Sequence, residues 1–297
     1  MEKRKLKVIM IDAFKPAYLE HAPFLKSLTM KYQHGELNMG FGHWRGVEVL
    51  FKGNSEVIAN FYHGGDGSLA YLKHFQWLQY FGKLGRLCID ILFNFPRWLK
   101  GYELFRTGNI PLKRLHMFDV AVKQHIAKQE CEFFYFGDLD YLGHRYGTQS
   151  PQVTAAIKEI DKKISVMDFD FIFSDHGMID ITKTIAVPYS RDCFIDSDMA
   201  RYWGSKKELD EIKNKLPLMS GNIVKWNTKY GELIFLAHTG VLLFPNFWSK
   251  TIVKAMHGYD GKHPEMKAFY ILKKKGGRKD ITARQLHVAL EAYKKEI

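Results

Sequence analysis

Three stretches of this chain end an apolar run in a carboxylate: KVIMID at Asp12, FFYFGDLD at Asp138 and Asp140, and DFIFSDHG at Asp175. Two of them also carry an imidazole. His176 follows Asp175 directly, and His144 lies four residues after Asp140, with Gly143 and Gly147 nearby to let the backbone curl so that both side chains face one ion. Carboxylates gathered in one place repel unless cations neutralise them, and divalent metals are the usual cations. Mixed oxygen and nitrogen donors suit zinc, with manganese or iron as alternatives. Two such ions about 3.5–4 Å apart clamp a phosphoryl group. Each piece alone has a plainer reading, since a strand-end Asp often caps a helix or forms a turn and a lone His is often packed or solvated. The recurrence within one chain favours ligands.

These groups meet only if the runs before them are neighbouring parallel strands, because ligands of an open parallel sheet bind beyond the carboxyl ends of its strands. Leu6 to Ile11 reads as the first strand, and KPAYLEHAPFLKSLTMKY after it has helical spacing following a Pro. ECEFFYF is a second strand, and SPQVTAAIKEIDKKISVM a helix in which Ser150 caps and Val153, Ile157, Ile160 and Ile164 line one face. FDFIF is a third. GNIVKWN, GELIFLAHTGVLLFPN and KAFYILKKKG read as further strands, and ITARQLHVALEAYKKEI as a last helix starting near Thr282. This alternation predicts an α/β fold with a mostly parallel sheet covered on both faces. With no internal repeat, low-complexity tract or long linker, residues 1–297 are expected to form one domain.

Residues 68–117 differ in character, with aromatic and basic side chains interleaved. They predict a helical insertion that either packs on the sheet or forms an amphipathic cap touching lipid, with Lys73, Lys83, Arg86, Arg97 and Lys100 toward anionic headgroups. The net charge of +12 favours polyanionic partners: phosphorylated small molecules, lipid-linked phosphates or an anionic membrane surface. Nucleic acid is disfavoured, because no recognised binding motif accompanies basic residues that are spread along the chain. Cys88, Cys131 and Cys193 are too few and too scattered for a disulfide framework, which points to a reducing compartment. The N-terminal apolar run is short for a signal peptide, and no run of about 18 apolar residues exists. A cytoplasmic protein, peripheral to the membrane at most, is expected.

Taken together, VIMIDAFKPAYLEHAPFLKSL, DLDYLGHRYG, FSDHGM and HGYDGKHPEMKAFYI resemble the alkaline phosphatase superfamily, specifically its type I phosphodiesterase and nucleotide pyrophosphatase branch. The motifs span most of the chain, in the family's order. The resemblance implies an alkaline-phosphatase-like α/β/α sandwich binding two divalent metal ions, zinc foremost and manganese as the alternative. By similarity, Asp12, Asp175 and His176 hold one ion, and Asp140, His144 and His257 the other. Only the resemblance nominates His257.

The family attacks phosphorus with a Thr or Ser. If FKGNSE here matches the family's glycine-containing turn, that position falls near His43 or Trp44, where no hydroxyl stands, and Ser55 is out of place. Three accounts stay open: attack by a water that zinc has activated, His43 as nucleophile or base, or binding without turnover. Local packing of His43 and Trp44 in a glycine-rich turn is the plainer alternative. Arg191 and Arg201 are candidate phosphate contacts. The function implied is a metal-dependent phosphodiesterase or nucleotide pyrophosphatase acting on a nucleotide, nucleotide-sugar or lipid-linked phosphate. A catalytically inactive metal- and polyanion-binding relative, or a sulfatase or phosphomutase of the same superfamily, is the alternative.

Overall fold

The computed structural model describes residues 4–40, 131–226, 228–246, 249 and 251–296, and within 75–92 a few residues including Trp77, Phe81, Leu84, Leu87 and Ile91. His43 and most of the 68–117 insertion lie outside the described residues. The strands are β1 (Leu6–Ile11), β2 (Tyr32–Asn38), β3 (Cys131–Phe136), β4 (Phe171–Phe173), β5 (Ile179–Asp180), β6 (Lys183–Ile185) and β7 (Cys193–Ile195). They continue with β8 (Met199–Tyr202), β9 (Gly221–Val224), β10 (Leu233–Ala237), β11 (Val241–Leu243), β12 (Ala255–Met256), β13 (Ala268–Lys275) and β14 (Ile281–Thr282). The α-helices are α1 (Pro23–Thr29), α2 (Asp138–Tyr146), α3 (Pro151–Ile164), α4 (Lys206–Lys215) and α5 (Ala283–Tyr293).

A six-stranded sheet in the order β14-β2-β13-β4-β1-β3 forms the centre. β1 pairs in parallel with β3 and with β4, placing Ile11 opposite Phe136 and Met10 opposite Phe173. β13 alone runs against the other five, antiparallel to β2 and β4. Side chains alternate between faces with period two. Leu6, Val8 and Met10 therefore join Phe171, Phe173, Tyr270 and Leu286 of α5 in one core, while Ile9, Ile11, Ile172 and Ile271 join Leu25 of α1 and Ile157 of α3 in another. Helices thus cover both faces, giving the mostly parallel α/β/α arrangement the sequence implied.

The α3 expectation is met: Ser150 Oγ accepts from the Val153 N–H at 3.3 Å, and Val153, Ile157, Ile160 and Ile164 are buried. The single helix expected after β1 is instead two pieces, a 3-10 turn over Pro16–His21 and then α1. Pro23 is the reason, since it lacks an N–H and disfavours helical geometry in the residue before it. Asp161 on α3 then anchors the new start by accepting from the N–H groups of Phe24 and Leu25, both at 2.9 Å.

A second sheet, β7-β8-β10-β9, is antiparallel throughout. The stretch SRDCFIDSDMARYWG forms its β7–β8 hairpin. Cys193, Ile195, Ala200 and Tyr202 pack there with Phe235 and Ile212. Arg201 is 1% exposed and pairs with Asp196 Oδ2 at 3.2 Å, with Phe194 beneath it. The expectation that Arg201 contacts a phosphate is corrected: the guanidinium serves a buried ion pair. Arg191 is exposed.

Candidate metal centre

Because β1 lies between β3 and β4, the three acidic strand tips open onto one edge of the sheet. Asp12 follows β1 immediately. The next residue, Ala13, has φ 58°, a left-handed conformation costing a non-glycine residue on the order of 1 kcal/mol or more. Its N–H donates to Asp175 Oδ1 at 3.4 Å, so this conformation turns the chain toward the tip of β4. His176 Nε2 stands 3.3 Å from Asp12 Oδ1 and 3.5 Å from Asp175 Oδ2. All three residues are buried.

The second group comes from α2. Asp140 and His144 lie one turn apart on a regular helix, which corrects the expectation that the nearby Gly143 and Gly147 curl the backbone. The i,i+4 spacing already places both side chains on one face, and Gly147 (φ 94°) ends the helix instead. His144 Nε2 is 3.3 Å from Asp140 Oδ1, and His257 Nε2 is 3.5 Å from the same oxygen. His257 follows β12, a two-residue strand paired antiparallel with β5. Its ring stacks on that of His176 with centroids 3.7 Å apart and planes at 14°, so the two groups share a wall. Within each set of three, the candidate ligand atoms lie within 4.8 Å of one another.

The hydrogen bonding tests whether these residues suit a cation. His144 Nδ1 lies 2.7 Å from the Ala255 carbonyl oxygen, which only accepts, so Nδ1 carries the proton. In the neutral ring the Nε2 lone pair then faces the Asp140 carboxylate. Two acceptors meet in this way only with a cation between them, a proton or a metal ion. Burial alone pushes the Asp140 carboxyl up, but the imidazoles of His144, His257 and His176 outweigh it and hold the group well below the usual carboxylate range. The Tyr135 hydroxyl donates to Asp12 Oδ2 at 2.5 Å, and burial, followed by the Asp12 charge, pushes that phenol far up and keeps it a donor. Three carboxylates and three imidazoles, with the His144 ring oriented by Ala255, fit two divalent ions in the donor types zinc takes.

The six ligands expected from the sequence are therefore brought into two sets of three. Tyr135 was missed there. Its signal is faint: one polar handle on an otherwise apolar strand, at the end that feeds the site.

A family model described as type I phosphodiesterase/nucleotide pyrophosphatase matches residues 105–223, a span that takes in Asp140, His144, Asp175 and His176. No curated protein matches the sequence. Among solved structures, murine ectonucleotide pyrophosphatase/phosphodiesterase 5 is similar with a TM-score of 0.65 at 17% identity, over 98% of this chain and 95% of that one. An inactivated threonine-to-alanine variant of the same murine protein, in complex with AMP, gives 0.64 at 17% identity over the same shares. The human counterpart gives 0.62 at 18%, over 97% of this chain and 95% of that one. At such identities the likeness is one of fold. The chain is an alkaline-phosphatase-like α/β protein, matched by the type I phosphodiesterase/nucleotide pyrophosphatase family model across the two central ligand motifs.

Proposed function

We propose that this protein is a two-metal phosphohydrolase of the phosphodiesterase/nucleotide pyrophosphatase type. The observation that carries the reading is the pair of ligand sets, Asp12–Asp175–His176 and Asp140–His144–His257, joined through the stacked rings of His176 and His257. Two divalent ions held there, zinc by donor type, supply Lewis acidity to the phosphoryl oxygens and to the attacking oxygen.

The chain's own residues supply the rest. Tyr135 orients Asp12 by donating to Oδ2 and so presents Oδ1 to the ligand set. Ala255, through its carbonyl, fixes the His144 ring with Nε2 inward. The first set is buried, whereas the side chains of Asp140, His144 and His257 keep 21%, 22% and 13% exposure, so substrate approaches over α2 and β12. A nucleotide, nucleotide-sugar or lipid-linked phosphate suits this opening and the basic chain. The AMP complex of the murine relative supports the first of these.

A cytoplasmic setting is part of the proposal, on the ground that Cys88, Cys131 and Cys193 are few and scattered along the sequence. Among the described residues no helix is long and apolar enough to cross a membrane.

The test is turnover of a bis-aryl phosphodiester, a phosphomonoester and an aryl sulfate, with and without added zinc or manganese. Metal-dependent cleavage of the diester in preference to the other two is expected. Preference for the sulfate, or metal binding with no turnover of any phosphate ester, would contradict the proposal. In the same assay His43→Ala separates the accounts of attack: retained rate assigns it to water, and a loss of about 10³-fold or more assigns it to His43.

A further inference from the structure

We propose that Lys15 is a positioning residue that ties together the four chain segments bearing the six ligands. Lysine is almost never buried unless paired, and the Lys15 side chain is 5% exposed. It belongs to the segment that follows Asp12. Its Nζ donates to the Met178 carbonyl at 3.4 Å, on the segment that follows Asp175 and His176. The same ammonium pairs with Glu265, on the segment that follows His257. It also sits 5.1 Å from the ring centroid of Tyr18, whose hydroxyl donates to the Thr148 carbonyl at 3.0 Å, just past the end of α2 and its Asp140 and His144. Thr148 is fixed in turn by its N–H donating to Asp180 Oδ1 at 2.6 Å.

The arrangement has a clear physical reason. Strand pairing fixes Asp12 and the Asp175–His176 tip, but it reaches His257 only through the two-residue β12 and α2 only through β3. Loops so weakly held by sheet bonds need a shared anchor to keep ring nitrogens within the few tenths of an ångström that metal ligation tolerates. One ammonium, with three donor hydrogens and a long apolar stem, reaches the Met178 and Glu265 segments directly and the end of α2 through the Tyr18 ring. It does so without touching a ligand, so the device acts through the loops.

The inference rests on the proposed metal reading for its main test, which is the zinc dissociation constant measured by chelator competition. Lys15→Met is compared with Arg4→Met, which breaks the Arg4–Asp170 pair (3.0 Å) at the opposite end of β1. Both variants are expected to melt earlier than the wild type. Only Lys15→Met is expected to weaken zinc binding, by about 10- to 100-fold, the range typical of residues that orient ligands. Should Lys15→Met fail to fold, Glu265→Gln is read in the same way. Zinc affinity unchanged in the Lys15 or Glu265 variant, or lowered equally by Arg4→Met, would overturn the proposal. If the wild type itself holds no metal, the proposed function fails, and the anchor is judged on the metal-free protein. Ring resonances of His144, His176 and His257 that shift in Lys15→Met but not in Arg4→Met support it, and unmoved resonances overturn it.

Discussion

Asp140→Asn is expected to lower the metal content from two divalent ions per chain to one and to cut kcat/KM for a phosphodiester by about 10³-fold or more. The magnitude follows from removing one ion whose charge stabilisation amounts to several kcal/mol, at about 1.36 kcal/mol per tenfold in rate. Asp140 is the most exposed to such a change, because His144 at 3.3 Å and His257 at 3.5 Å both converge on its Oδ1. Neutralising that oxygen removes the anionic ligand on which both imidazoles converge. The buried set at Asp12, Asp175 and His176 has its own two carboxylates and is expected to keep its ion. Elemental analysis alongside initial rates checks the pair of outcomes, and full activity with both ions retained would show that Asp140 is not a ligand.

Gly177→Ala is expected to destabilise the protein and its buried ligand set together. A Cβ there lands on the Glu265 carbonyl oxygen and comes within 2.8 Å of the Lys267 carbonyl oxygen, and both are backbone that no rotamer change can move. The Gly177 N–H also donates to the Met266 carbonyl at 3.2 Å, so the two segments cannot part without losing that bond. Overpacking of this kind costs roughly 3 kcal/mol or more, and the displaced backbone carries His176 with it. Lower thermal stability and loss of metal from the buried set are expected together. Gly143→Ala is the control, since the added Cβ meets only the flexible Met178 side chain, and alanine gains about 1 kcal/mol over glycine inside a helix. Thermal melts of the two variants decide the matter. Equal stability would mean that the β4 tip and the 265–267 segment are less tightly joined than their hydrogen bond indicates.

How far the sequence revealed the site depends on the element holding each residue. Asp12, Asp175 and His176 were legible because the strands ahead of them are apolar and their tips are polar, a contrast that survives in any sheet order. Asp140 and His144 were legible by spacing, but their local structure was misread. Glycines at 143 and 147 drew the reading toward a curled loop, whereas four-residue spacing is itself the helical signature, and the helix tolerates Gly143 where Met178 packs against it. His257 had no pattern of its own, since β12 is too short for alternation to show and exists through pairing with β5. Only the family resemblance found it. Lys15 and Tyr135 were hidden for a related reason: a lysine after a strand ordinarily reads as a solvated turn, and a tyrosine among phenylalanines as core. The break between the 3-10 turn and α1 was written in Pro23, which the helical periodicity around it concealed.

The fold shows the same division. The α/β/α layers followed from alternating strands and helices, and both cores formed on the faces that period-two patterning assigns. The reversed direction of β13 and the separate antiparallel sheet were not legible, because strand direction is set by the path of the connections and leaves no mark on the residues of the strand. The burial of Arg201 belongs to that second sheet. Its charge suggested a ligand contact, and only the placement of Asp196 just past the end of β7 reveals the ion pair.

The carboxylates and imidazoles at the strand tips are proposed as metal ligands. Elemental analysis of the protein purified without chelator, repeated after dialysis against one, tests that assignment most directly. Two divalent ions per chain are expected, zinc first among them, lost on chelation together with diesterase activity and regained with it. Protein that carries no stoichiometric metal, and that takes up none when zinc or manganese is supplied, would contradict it.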